Sequence, residues 1–502
     1  MTSPADLAHL DADQLRVLAT RLMAEMHTKQ TLIDKLTHEM AVLKRIKFAA
    51  TSEAYTGEQQ RLLFETIETD LAALQAEIDK VVPEVADQRE KQQPKRTALP
   101  ANLPRKQIVH EPASTTCRCG CQLQRIGEDI SEKLDYQPGV FTVERHVRGK
   151  WVCKQCETLV QAPVAPHIID KGIPTAGLVA HVLVAKFADH VPLHRQSGIF
   201  SRAGMSIPDS TLGQWVGRCG VQLQPLVDAL REVLLQEAVL HADETPVAML
   251  KPGNGKTHRA YLWSYCSTSF SAIKAVVFDF AETRGGEHAR TFFGTWQGTL
   301  VCDDFSGYKA LFRQGITEAG CAAHARRRFY DLWANHKSQI AEEAIRLFGV
   351  LYEVERQAQD MDAKERRQLR QQLARPAADT LHAWLLAQRQ RVPDGSATAK
   401  AINYSLGRWA ALTHYLDDGT VPLDNNWVEN RIRPVALGRA NWLFAGSLRA
   451  GQRAAAIMSL LQSAKMNGHD VFAYMKDVLE RLPTWPNSRI DELLPHRWHP
   501  AA

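Results

Sequence analysis

At 502 residues the chain is several times longer than a typical domain of ~100 to 200 residues, so two to four domains with their own cores are expected and a small disulfide-held scaffold is excluded. An apolar share of 45% and a charged share of 23% exclude a wholly disordered or fibrous chain. The net charge of +5 is too mild to identify an anionic partner without a local basic surface. The start, MTSPADLAHL, lacks the basic head and apolar stretch of a secretory leader, and no run reaches the ~18 apolar residues of a membrane span. A soluble cytoplasmic protein with no membrane partner is expected.

Residues 1–82 carry two apolar stripes at helical spacing. Leu15, Leu18, Leu22, Met26, Ile33, Leu36, Met40 and Leu43 form the first, and Ile67, Leu71, Leu74, Ile78 and Val81 the second, after a break at AATSEAYTGEQQ. The pattern fits two helices folded on each other or an intermolecular coiled coil, and in either case an assembly segment. Residues 83–112 hold five prolines, no helical period, and the basic residues Lys91, Lys95, Arg96, Arg105 and Lys106. They read as a linker, with Arg105 and Lys106 as candidate DNA contacts.

Five of the nine cysteines lie between 117 and 156. Cys117, Cys119 and Cys121 precede Cys153 and Cys156, and four of these five thiols suffice for a tetrahedral structural Zn²⁺ site. The β-like stretch VFTVERHVRGKWVC between them is expected to form the hairpin of a zinc ribbon over residues 113–168. Arg145, Arg148 and Lys150 make that ribbon basic, as a DNA-facing surface requires. Residues 169–236 turn helical, with Ser210 or Thr211 as a cap and Arg195, Arg202 and Arg218 nearby. This layer is either a DNA reader or a purely structural support.

From residue 237 the texture changes to strands: AVLHADETPVAML, RAYLWSYCS and AVVFDFAET, then a helix and the strand GTLVCDD. Three strands, a helix and a further strand follow the order of an RNase H-like α/β sheet, whose first part is assigned to 237–334. A charged helical insertion occupies 335–420, the second part of the core 421–482, and a Pro-rich tail 483–502. The fold class is thus multidomain α+β.

Asp243 and Asp303 each end an apolar strand, and Glu429 lies on a predicted helix. A carboxylate placed beside apolar neighbours is paired, caps a turn or holds a cation. Three together suit two hard Mg²⁺ or Mn²⁺ ions, which activate a water or a 3′-hydroxyl and stabilise the departing oxygen of a phosphoryl transfer. Arg431, Arg433 and Arg439 follow Glu429, and Arg326 and Arg327 sit in CAAHARRRFY, all candidates for phosphate contacts. His324 in the same stretch is a candidate for orienting DNA or the leaving group.

With those residues in hand, the chain closely resembles the transposases of the insertion sequence 66 family. HADETPV, DDFSGYK, CAAHARRRF and DNNWVENRIRP resemble its catalytic domain, and RIGEDISEKLDY before Cys153-Lys-Gln-Cys156 resembles its zinc-binding domain. The resemblance implies a bacterial Asp-Asp-Glu enzyme that binds the terminal inverted repeats of its element and joins them to target DNA. Asp243, Asp303 and Glu429 take the catalytic positions, and Cys321 and His324 match a Cys-x-x-His element. It also implies a leucine-zipper-like N-terminal segment and accessory proteins encoded beside the enzyme; holding two DNA ends at once further calls for at least a dimer on DNA. Two departures stand out: Thr116 occupies the place of the first zinc-knuckle cysteine, and Asp304 follows Asp303 where the family has glycine. Two other classes fit the residues, a DNA-binding regulator and a structure-specific nuclease on the same core.

Overall fold

The computed structural model describes residues 11–49, 57–81, 99–137, 139–164, 166–169, 172–251 and 256–500. Lys91, Lys95 and Arg96 of the expected linker lie outside them. The chain divides into two compact units: residues 1–165, 169–182 and 193–222, and residues 166–168, 183–192 and 223–502. No helix among the described residues is long and apolar enough to cross a membrane.

In the first unit, the two apolar stripes become α1 (Ala12–Ala49) and α2 (Gly57–Val81). Leu36, Leu74 and Ile78 are buried together, with Met40 and Leu43 packed against them, so the stripes meet within one chain. The beginning of α1 is different: Leu22, Met23 and Met26 are 49%, 71% and 71% exposed.

Arg105–His110, expected as the end of a linker, is a strand, β1. It runs parallel to β3 (Val140–Val152), a single strand formed by the stretch expected to make the whole hairpin; β3 pairs antiparallel with β2 (Gln124–Gln137), its hairpin partner, on the other side and with β4 (Leu159–Gln161) near its end. The correction has a simple cause. A central strand must satisfy the N–H and C=O groups on both edges, and the chain arriving from the prolines supplies the second edge.

The helical layer comprises α3 (Ala176–Phe187), α4 (Leu193–Arg202) and α5 (Asp209–Leu234). Tyr136, Phe141 and Phe200 form a ring cluster with centroids 4.7 to 5.4 Å apart, joining the root of the hairpin to α4. Helices α2 and α5 cross at close range: a Cβ on Gly217 would stand 2.3 Å from the Thr69 carbonyl oxygen, so only glycine permits that approach.

The second unit is built on a five-stranded sheet. Its strands are β5 (Val239–Met249), β6 (His258–Ser267), β7 (Val276–Ala281), β8 (Thr299–Cys302) and β9 (Thr317–Gly320), in the order β7-β6-β5-β8-β9. β5, β6 and β7 form an antiparallel meander, whereas β5, β8 and β9 are parallel. The change of direction follows from the connections. Eight residues separate β5 from β6 and eight separate β6 from β7, while α6 (Gly286–Phe293) and α7 (Lys309–Arg313) occupy the crossovers leading to β8 and β9.

After β9 come α8 (Ala322–His336) and the helical insertion: α9 (Gln339–Gln357), α10 (Ala363–Leu369), α11 (Arg375–Arg389), α12 (Ala397–Gly407) and α13 (Trp409–Thr413). Their apolar stripes bury Phe329, Phe348, Leu381, Leu385, Ile402 and Leu416 in one core. Arg370 is fully buried in it. Its guanidinium donates to both Glu355 carboxylate oxygens at 2.8 and 2.6 Å and to the carbonyls of Tyr415, Asp418 and Val421. Arg366 donates to Gly419 O at 2.6 Å. The insertion thereby grips the chain as it returns toward Asp424.

The returning chain forms α14 (Asn426–Trp442), α15 (Leu448–Met466) and α16 (Val471–Arg481). α15 lies on β7, where Ser459 and Ser463 accept the N–H groups of Phe278 and Val276 at 2.8 and 3.0 Å. Two small side chains thus satisfy an outer strand and allow a helix to pack flat on it.

Candidate active site

Asp243 lies in β5, and Asp303 directly follows β8. These neighbouring strands pair in parallel, with Val239 opposite Thr299 and His241 opposite Val301. That pairing ends at His241 and Val301, two residues before Asp243 and Asp303 respectively, so the two aspartates follow equivalent points of neighbouring strands. Each aspartate takes a local turn bond: Asp243 Oδ1 accepts the Glu244 N–H at 2.9 Å, and Asp303 Oδ1 accepts the Phe305 N–H at 2.9 Å.

Glu429 stands in the first turn of α14. The joint that brings this helix to the sheet is Asn425, which is fully buried. Its Nδ2 donates to Ala242 O at 2.9 Å, its Oδ1 bonds the His241 Nδ1 at 2.8 Å, and its backbone N–H donates to Cys321 Sγ at 3.2 Å. One side chain therefore ties the glutamate helix to the two residues that precede Asp243.

The electrostatics register this convergence. Burial pushes the Asp243 carboxyl well above the usual carboxylate range, and the negative charges of Glu244, Glu429 and Asp303 push it further. A divalent cation would relieve that repulsion. Asp243, Asp303 and Glu429 do not form a group whose donor atoms all lie within 4.8 Å of one another; among the described residues the groups of three or more potential ligands that do are two others.

Two further acids lie near the aspartates and are already engaged. Glu244 is buried, accepts Arg284 Nε at 2.8 Å and Tyr308 Oη at 2.7 Å, and burial nevertheless raises its carboxyl. Asp304 pairs with Lys309 at 3.0 Å and Arg408 at 2.9 Å, and both cations also hold Glu318. Asp304 is thus committed to a surface ion network beside its neighbour.

At the start of α8, His324 Nδ1 is 3.7 Å from Glu429 Oε1, and Arg327 is 3.8 Å from Glu429 Oε2. Arg326, Arg327, Tyr330, Tyr352, Arg356 and Asn426 line a cleft of about 490 Å³ beside them. Three guanidinium groups and two phenol rings there suit phosphate and base contacts. Along α14, Arg433 is exposed, Arg431 stacks on Trp427 at 4.3 Å, and Arg439 turns back to donate to Pro246 O at 2.5 Å.

In the first unit, Cys117, Cys119, Cys153 and Cys156 place their sulfurs within 4.8 Å of one another. Cys121 points elsewhere, to the Gln155 amide oxygen. Cys156 is drawn down to about 6, first by the Thr158 hydroxyl, while its neighbour Cys117 is pushed up to about 11. Four thiols at that spacing fit a tetrahedral structural zinc. Of the basic residues expected on this ribbon, Lys106 is exposed and Arg145 half-buried. Arg148 and Lys150 meet Asp129 at 3.7 and 2.6 Å, and Arg105 bonds Glu132 and four backbone carbonyls.

Asn425, Glu244 and Arg370 were not among the residues singled out from sequence. The doubled asparagine in LDNNWVEN was the available signal for the first. Its role depends on a buried partner 184 positions away, which spacing does not reveal.

Four families match along the chain. Residues 171–453 match the family described as "Transposase IS66 family", 459–496 the IS66 C-terminal element, and 114–157 the zinc-finger binding domain of transposase IS66. Residues 35–108 match "Transposase C of IS166 homeodomain". Among curated relatives, three uncharacterized proteins of Sinorhizobium fredii (strain NBRC 101917 / NGR234) are similar. The protein y4qI is 35% identical over 500 residues, covering 96% of this chain and 92% of its own. The protein y4jD is 36% identical over 416 residues, with 80% and 81% covered. The protein y4hP is 33% identical over 492 residues, with 92% and 89% covered.

Proposed function

Since the chain belongs to the IS66 transposase family and is a DNA transposase, we propose that it cuts and joins DNA by two-metal phosphoryl transfer at Asp243, Asp303 and Glu429. The observation that carries this reading is the shared register of β5 and β8, with Asn425 fastening the glutamate helix beside it. The strand order and the switch from antiparallel to parallel pairing support an RNase H-like core. Such a site suits two Mg²⁺ or Mn²⁺ ions, which would supply the activated oxygen nucleophile and neutralise the leaving oxygen. Around them the chain's own groups have separate tasks. Asn425 sets the distance between strand and helix, Arg327 and His324 orient the Glu429 carboxylate, and Arg284 and Tyr308 keep Glu244 away from the ions.

DNA enters this reading through the cleft beside α8, where Arg326, Arg327 and Arg356 would hold phosphates, and through Arg433 and Arg431 on α14. The zinc ribbon, with Arg145, Arg148, Lys150, Arg105 and Lys106, would serve to recognise the element's terminal repeats, with Arg105 and Lys150 acting mainly through the ribbon's shape. Exposed Leu22, Met23 and Met26 on α1 suit pairing with a second copy, as synapsis of two DNA ends requires.

The test uses purified Asp243→Asn, Asp303→Asn and Glu429→Gln with the element's own end DNA and Mg²⁺. All three lose cleavage and strand transfer and keep end binding. Strand transfer retained in all three would falsify the assignment, and cuts without any joined product from the unaltered protein would favour a nuclease.

A further inference from the structure

We infer that Cys321, His324 and Glu429 form a binding site for a borderline divalent cation of the Zn²⁺ type, separate from the cysteine cluster of the ribbon. Their sulfur, nitrogen and oxygen donors all lie within 4.8 Å of one another. Cys321 is the N-cap of α8 and His324 sits three residues on, so one helical turn presents both toward the first turn of α14.

Each donor is set up for an ion. Cys321 is 1% exposed, and its sulfur accepts the backbone N–H groups of Asn425, at 3.2 Å, and of His324. Burial pushes the thiol up to about 12 against these bonds, so the sulfur is protonated until a cation displaces the proton. His324 Nδ1 and Glu429 Oε1 face each other across 3.7 Å, too far for a hydrogen bond, and both atoms are buried without a hydrogen-bond partner. A buried polar atom left without a partner is costly, and a cation between the two would satisfy both at once. The other carboxylate oxygen, Oε2, is turned to Arg327, so Oε1 is the one offered.

A sulfur, a nitrogen and an oxygen suit Zn²⁺ better than hard Mg²⁺, which prefers oxygen throughout. Thiolate and carboxylate together balance its charge, and three protein ligands leave a fourth position for water or a DNA oxygen. An ion here would pin α8 to α14 at the residue on which the proposed chemistry depends. The inference shares Glu429 with that chemistry but stands on the cysteine and histidine.

The experiment is zinc stoichiometry. The purified full-length protein is saturated with ZnCl₂, passed through metal-free buffer and analysed by mass spectrometry for zinc per chain. About two ions are expected, and about one in Cys321→Ser, His324→Ala and Glu429→Gln. Glu429→Gln keeps the side chain's size, so its loss of one ion is not ascribed to misfolding, and circular dichroism checks the other two. Asp243→Asn and Asp303→Asn keep about two. One ion in the unaltered protein, or two unchanged by the Cys321, His324 and Glu429 substitutions, overturns the site. Loss of an ion in the two aspartate variants overturns it as well, by assigning that ion to the acidic pair. No cleavage is measured, so failure of this site and failure of the two-metal reading are told apart.

Discussion

Replacing Asn425 by leucine should separate DNA binding from DNA cutting. Leucine is close in volume, so the buried space stays filled, but two hydrogen bonds go. The Ala242 carbonyl loses its 2.9 Å donor and His241 Nδ1 its 2.8 Å partner. His241 Nε2 already has none. At ~1 to 3 kcal/mol for each buried group left bare, the joint weakens by ~2 to 6 kcal/mol. That loss falls between the strand carrying Asp243 and the helix carrying Glu429. A shift of ~1 Å there costs about 10²-fold in rate. The assay is cleavage of end DNA at saturating Mg²⁺, beside gel-shift binding of the same DNA. Binding should stay within about twofold while cleavage drops about a hundredfold, a difference of ~2.7 kcal/mol in the barrier. Cleavage within about threefold of the unaltered protein would refute the idea that this amide sets the active-site distance.

His241 makes stability acid-sensitive. It is fully buried and held down to about 4 from an ordinary 6.5, chiefly by burial and against the opposing Asn425 bond. The folded ring stays neutral while the unfolded chain takes up the proton, so stability falls as pH drops from about 6.5 to about 4 and levels off below. The gap corresponds to roughly 3 kcal/mol. His241→Gln should flatten the fall of the thermal midpoint between pH 7 and 5; equal slopes in both proteins would dismiss the explanation. On α1, Leu22→Glu with Met26→Glu alters side chains that are already exposed, so the fold should persist while self-association is lost. Light scattering reads this directly, and an unchanged molar mass would remove α1 as the contact.

The parts visible in the sequence were those written in local periodicity. Stripes of leucine and isoleucine marked α1 and α2, apolar runs marked β5 to β8 of the second sheet, and an acid at the end of an apolar run marked Asp303, whereas Asp243, expected near a strand end, stands inside the longer β5. Less visible was where each charged side chain spends its charge. Arg439 and Arg105 look like phosphate ligands in a string of letters, yet one donates to Pro246 O and the other to the backbone of residues 99–103. Asp304 could have shared a metal with its neighbour until Lys309 and Arg408 were seen beside it. Strand β1 was hidden because none of its six residues is buried, three being half-buried and three exposed. Their fold comes from the open edge they meet.

A loop inserted into an enzyme is usually something evolution can trim. Here the excursion between β9 and α14 ends with Arg366 and Arg370 clasping the very peptide groups that lead back into Asn425. Insertion and glutamate arm therefore form a single mechanical piece. A minimal nuclease made by excising the excursion would keep its two aspartates and lose the rigging that delivers the third acid.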